Sequence, residues 1–130
     1  GSSVDYYEQV RGFFATYPDA RAGEARAVED FYRLFMVPGM AHCGGGVGPS
    51  DFGNGAPVAG GAERDVVVAL DRWVERGVAP EYLIGQGVTV GSPGKPLSRP
   101  ICPYPRVARY LGRGEPTDAT SFSCVIPVPQ

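Results

Sequence analysis

Charge is sparse and evenly spread: 12 Lys and Arg stand against 14 Asp and Glu, a net charge of -2 over 130 residues. No run of like charge occurs, which removes the electrostatic basis for binding nucleic acid or an anionic membrane surface. No apolar stretch approaches the roughly 20 residues needed to cross a bilayer, and no signal peptide is legible. Internal repeats are missing, as is any linker that would separate two domains. Three cysteines and one histidine show neither a C-x-x-C spacing nor a close ligand pair, so a metal or redox centre is not expected. No serine sits in a G-x-S-x-G elbow, so no nucleophile announces itself. His42 is the sole histidine.

Glycine and proline are abundant, 19 and 13 residues respectively. That fraction approaches the disordered range, yet these residues alternate with tyrosine, phenylalanine and branched side chains. The chain is long enough to bury about two thirds of its unfolded surface, so long ordered loops on a small core are expected. Phe31 to Val37 has the composition of a buried strand and stops at Pro38-Gly39. His42 follows immediately, then Cys43 and three glycines. A strand that delivers an imidazole into a glycine-rich loop suits proton transfer; a hydrogen-bonded structural histidine is the competing reading.

Further elements follow from periodicity. Ser3 to Thr16 reads as a helix, with Ser3 as cap, Asp5 and Glu8 in its first turns, and Val4, Tyr7, Val10 and Phe14 on one stripe. Pro18 to Ala22 breaks the pattern, and Gly23 to Asp30 fits another helical turn. A helix, a linker and a strand in this order match the last crossover of a doubly wound sheet. Pro38 to Ala62 is a long loop without periodicity. Glu63 to Arg76 is an amphipathic helix in which Val66, Val67, Leu70, Trp73 and Val74 share one face, with Trp73 read as core and Gly77 as the stop. Tyr82 to Val90 reads as a strand with glycines at 85 and 87, Ser98 to Pro105 as extended, and Val107 to Tyr110 as a turn of helix. Cys102 and Cys124 flank a Pro/Gly-rich segment.

The string FMVPGMAHCGGG (35–46), with YYEQV (6–10) before it and RPICPYPRVARYLG (99–112) after it, resembles the C-terminal part of the tannase and feruloyl esterase family. The resemblance covers nearly the whole chain. It implies an α/β fold: the C-terminal portion of an α/β-hydrolase, contributing the last strands and helices of a doubly wound sheet with long Gly/Pro-rich loops. It implies a Ser-Asp-His triad in which His42 is the general base. It also implies a Cys102–Cys124 disulfide and a partner for Cys43 upstream, next to the nucleophilic serine. Such bridges belong to an oxidising compartment, so a secreted or periplasmic protein is expected.

In α/β-hydrolases the order is serine, acid, histidine, so both partners of His42 are expected upstream of Gly1. The family's Gly-Cys-Ser motif does not occur here. Asp5 reads as a helix-terminus acid rather than the triad member, and Asp19 and Asp30 lack motif support. The whole protein is then expected to hydrolyse gallate or hydroxycinnamate esters, with this chain inactive alone. No cofactor or metal is expected in the chain; calcium in some members belongs to an inserted lid domain, also upstream. Expected partners are the phenolic ester and the N-terminal part of the same protein, with self-association through an unpaired strand edge a further expectation. The alternative is a non-catalytic binding or structural module derived from such an esterase.

Overall fold

A computed structural model describes residues 2–17, 28–90 and 94–128. The backbone divides into two compact units, Gly1–Leu34 and Phe35–Gln130.

The first unit is built on helix α1, Ser3–Thr16, the span that the periodicity predicts. Its cap is Ser2 rather than Ser3. Ser2 Oγ accepts from the Asp5 amide at 3.2 Å while Asp5 Oδ2 accepts from the Ser2 amide at 2.8 Å. This reciprocal capping box satisfies two amides that the first turn leaves open. Tyr7 is buried, and Val4, Val10 and Phe14 are half-buried along the same stripe. The Tyr7 ring meets Tyr32 edge-on at 5.1 Å, and Phe14 meets Phe31 at 5.3 Å. Of the expected helical turn at Gly23 to Asp30, residues 28–30 form a short 3-10 turn, Val28–Asp30; the rest lies outside the described residues, as does Asp19.

The second unit carries helix α2 (Val66–Arg76) and four strands: β1 (Leu83–Val88), β2 (Pro96–Ile101), β3 (Val107–Tyr110) and β4 (Phe122–Val125). β1 pairs antiparallel with β2 from Leu83 opposite Ile101 to Val88 opposite Pro96. β3 pairs antiparallel with β4 from Val107 opposite Val125 to Tyr110 opposite Phe122. A disulfide joins Cys102, just after β2, to Cys124 within β4. Beside it the Arg99 guanidinium lies 4.0 Å above the Phe122 ring. Ala69, Leu83 and Ile101 form the core, with Phe35, Val37, Phe52, Ala62 and Val66 packed against it.

Two expectations change. Phe31 to Val37 is not a buried strand: Phe31 and Met36 are about half exposed, and Phe35 makes a single bridge, to Pro103. An apolar, branched segment favours extended backbone, but only a neighbour along its whole length turns extension into a ladder. The sheet pairing among the described residues is antiparallel, in two two-stranded sheets; the expected place of these strands at the end of a doubly wound sheet concerns pairing with strands outside this chain. Finally, Val107 to Tyr110 is strand β3 and not a turn of helix. Four residues cannot sustain a helix without strong packing, whereas pairing to Phe122–Val125 satisfies their backbone directly.

Candidate active site

From Pro38 to Pro49 the chain folds back on itself through backbone hydrogen bonds. The Ala41 amide donates to the Gly45 carbonyl at 3.0 Å, and the Gly48 amide to the Gly39 carbonyl at 3.1 Å. Met40 and Gly46 form an isolated bridge between these two bonds. Approach is so close that side chains are excluded at two positions. A Cβ on Gly46 would meet the Gly39 carbonyl oxygen and the Ala41 nitrogen; one on Gly48 would meet the Pro38 carbonyl oxygen. Both are backbone obstacles that cannot rotate away.

His42 and Cys43 occupy the tip of this loop, and both are exposed. Cys43 adopts φ 64, the sole non-glycine residue with positive φ among the described residues. That conformation costs an ordinary side chain about 1–2 kcal/mol. It turns Cys43 Sγ back toward the imidazole, 2.9 Å from His42 Nδ1. Cys43 is a free thiol.

The loop is seated on β1. The Ser50 and Asp51 amides donate to the Gln86 carbonyl at 2.8 and 3.0 Å, and the Gln86 amide donates to the Asp51 carbonyl at 2.7 Å. Gly85 and Gly87 flank Gln86. A Cβ at Gly85 would lie 2.8 Å from Pro49 Cβ, and one at Gly87 would lie 2.9 Å from the Gly48 carbonyl oxygen. Two missing side chains on β1 therefore make room for Pro49, which is buried, and for the backbone of Gly48. This pairing of glycines with a distant loop is not legible in the sequence, where glycines in a strand signal close backbone approach without saying to what.

Asp65 holds the next segment. It is 3 % exposed; Oδ2 accepts from the Val58 amide at 2.9 Å, and Oδ1 from the Val67 and Val68 amides at 2.9 and 3.2 Å. One carboxylate thus caps α2 and ties down the loop before it. These amides hold its pKa below the usual carboxylate value, Val58 contributing most and burial opposing. Capped by Asp65, α2 starts at Val66, three residues later than the periodicity placed it; an aspartate directly before three valines was the available signal.

Of the other acids considered, Asp5 is engaged with Ser2 in the α1 capping box, which lowers its pKa through those hydrogen bonds. Asp30 lies in the Val28–Asp30 turn of the first unit. The Cys102–Cys124 pairing is present as the resemblance implies. Among the described residues no group of three or more His, Cys, Asp and Glu is placed to hold a metal ion, and no helix is long and apolar enough to cross a membrane.

The family model described as "Tannase and feruloyl esterase" matches residues 1–125. The chain belongs to the tannase and feruloyl esterase family. It is 40% identical over 131 aligned positions to an uncharacterized esterase of Xanthomonas campestris, covering 95% of this chain and 23% of that protein. Feruloyl esterase C of Talaromyces stipitatus is also 40% identical, over 130 positions, with 96% of this chain and 23% of the relative covered. Mono(2-hydroxyethyl) terephthalate hydrolase of Piscinibacter sakaiensis is 39% identical over 126 positions, covering 96% and 17%. Among solved structures, feruloyl esterase B of Aspergillus oryzae superimposes with a TM-score of 0.74 at 36% identity, covering 95% of this chain and 23% of the other. The chain therefore spans about a quarter or less of the length of these tannase and feruloyl esterase family relatives.

Proposed function

We propose that this chain is the histidine-bearing C-terminal part of an α/β-hydrolase that cleaves esters of aromatic carboxylic acids. The observation that carries the reading is the exposed His42 imidazole at the tip of a loop fixed to β1 by backbone bonds and by the Gly85 and Gly87 gaps. Such rigidity is what a proton-transfer group requires. The relatives' names supply the substrate class: feruloyl esters, and the monoester of terephthalic acid. Both are esters of an aromatic acid.

In this reading a serine outside the chain attacks the ester carbonyl while His42 takes the hydroxyl proton. His42 returns it to the leaving alkoxide, giving an acyl-enzyme. Water then attacks the acyl group as His42 again accepts and donates a proton, releasing the acid and restoring the serine. A carboxylate, also outside the chain, orients the ring through Nδ1. Cys43 Sγ lies against that nitrogen here; the expected disulfide from Cys43 to an upstream cysteine, formed by two-electron oxidation of both thiols in an oxidising compartment, would carry no S–H to offer it. The Cys102–Cys124 bridge fits a secreted or periplasmic protein.

In the full-length parent, His42→Ala lowers kcat on methyl ferulate or methyl gallate by about four orders of magnitude or more, with the fold retained by circular dichroism. Unchanged turnover removes His42 from the chemistry.

A further inference from the structure

Asn54 is the sole asparagine of the chain, and a glycine follows it. The pair stands in an irregular stretch: residues 52–60 belong to no helix or strand, and Asn54 and Gly55 are both exposed. The stretch is nonetheless held on either side of the pair. Before it, the Asp51 amide and carbonyl are both bonded to Gln86 on β1. Gly53 is buried against Asp65, so closely that a Cβ there would lie 2.6 Å from the carboxylate carbon. Beyond the pair, the Val58 amide donates to Asp65 Oδ2 at 2.9 Å. One buried carboxylate thus pins both ends of residues 53–58 and leaves the tip between them clear. Two features of that tip favour attack on the Asn54 side chain. The Phe52 amide donates to Asn54 Oδ1 at 3.2 Å, which draws electrons from the side-chain carbonyl carbon and supports the oxyanion formed when a nucleophile adds there. The nucleophile is next in the chain. Among the described residues the Gly55 amide donates no hydrogen bond, and a Cβ placed on Gly55 would meet nothing within 4 Å. Neither a bond nor a packed neighbour therefore holds that residue in place, and glycine leaves the backbone free to adopt the angles that ring closure needs.

We infer that the Asn54-Gly55 pair is a site of spontaneous modification in the folded protein, where Asn54 converts through a succinimide to aspartate and isoaspartate. Base takes the Gly55 amide proton as the Gly55 nitrogen bonds to Asn54 Cγ. The Cγ–Nδ2 bond then breaks, and the side-chain nitrogen leaves as ammonia with an equivalent of that proton. Water opens the ring. Cleavage of the new bond from Gly55 nitrogen to Cγ gives aspartate. Cleavage of the bond from Gly55 nitrogen to the Asn54 backbone carbonyl carbon gives isoaspartate, whose main chain runs through Cγ. On balance a water is consumed, an ammonia is released and a neutral amide becomes a carboxylate; no oxidant or reductant enters. The arrangement of pins lets this happen without unfolding. The main-chain carbon that isoaspartate adds falls in the clear tip, between Gly53 and Val58, and leaves the bonds to Gln86 and Asp65 in place. The inference stands apart from the esterase reading, since no step involves His42.

The test ages the full-length parent at neutral pH, its fold followed by circular dichroism, beside a synthetic peptide of residues 50–58. Peptide mapping by mass spectrometry reads the exchange of the Asn54 NH2 for OH, and protease Asp-N, which cuts before aspartate and not before isoaspartate, separates the two products. The folded protein is expected to convert within about tenfold of the peptide's rate and to yield both products. Conversion slower than the peptide by more than that overturns the inference, because the folded loop then protects the pair. Gly55→Ala removes the freedom of the attacking residue at a position where the added Cβ meets nothing, so the fold is kept. It lowers the rate about tenfold or more. An unchanged rate in that variant, or aspartate with no isoaspartate in the unmutated protein, rules out the succinimide and overturns the proposal.

Discussion

At the scale of single residues, the His42 loop is held by what its glycines lack. Gly45 and Gly46 are neighbours and both have positive φ, at 66 and 97, yet they differ in surroundings. A Cβ on Gly45 meets nothing within 4 Å, whereas one on Gly46 meets the Gly39 carbonyl oxygen and the Ala41 nitrogen. Gly45→Ala therefore carries only the conformational cost of about 1–2 kcal/mol. Gly46→Ala must push the two arms of the loop apart and displace the imidazole. In the parent, Gly46→Ala lowers kcat on methyl ferulate about 100-fold, the scale of a misplacement near 1 Å, and Gly45→Ala lowers it no more than a few-fold. Equal losses at the two positions would count against a loop fixed by close backbone approach. His42 itself was conspicuous in the sequence because it is the sole histidine and stands in a long string. The positive φ of Cys43 was not: nothing in the identity of a cysteine marks a left-handed backbone, and the constraint comes from the bonds that close the loop on either side.

Among the elements, α1 and β1 were the most readable. α1 carries a continuous 3.6-residue period with Tyr7 as its one buried side chain, and β1 is bounded by proline and glycine. α2 was read correctly as amphipathic but half of its apolar face is outside the core, because periodicity reports which residues share a face and not how much of that face has a cover. β3 was misread since four residues carry too little pattern to separate a strand from a turn of helix; its pairing with β4 spans a loop of the sequence that no local signal bridges. Asp65 gives the elements their pH dependence. Its folded pKa is depressed, so its contribution is complete above the unfolded carboxylate value near 4 and is lost as pH falls through the lower folded value. Asp5 and Asp118, also depressed by hydrogen bonds to Ser2 and Thr120, act with the same sign. Asp65→Asn lowers the thermal midpoint by several degrees at pH 7 and by less near pH 3. A deficit that grows toward acid would contradict the assignment, and thermal melts across that pH interval read it directly.

For the whole molecule, the Cys102–Cys124 bridge ties β4 to the end of β2 across 22 positions of sequence. A loop of that size stabilises by about 3 kcal/mol in the chain-entropy account. Replacing both cysteines by alanine in the parent lowers the unfolding free energy by about that amount in urea titrations, whereas a change below about 1 kcal/mol shows that the Arg99–Phe122 stack and the paired strands hold the sheets together without it. The family was legible from three strings spread over nearly the whole chain. The pairing of strands was not, because a sequence shows which residues favour extended backbone but leaves open which neighbour each will find.

The two gaps on β1 also act as a check during folding. Gly85 and Gly87 admit Pro49 and the Gly48 backbone only if β1 presents that face at that height. A slip of one residue would bring Ile84 or Gln86 under Pro49, and the loop could not close against the strand. Strand register and imidazole placement are thus verified together: a misaligned β1 yields a chain with its histidine unseated rather than one with a histidine seated in the wrong place.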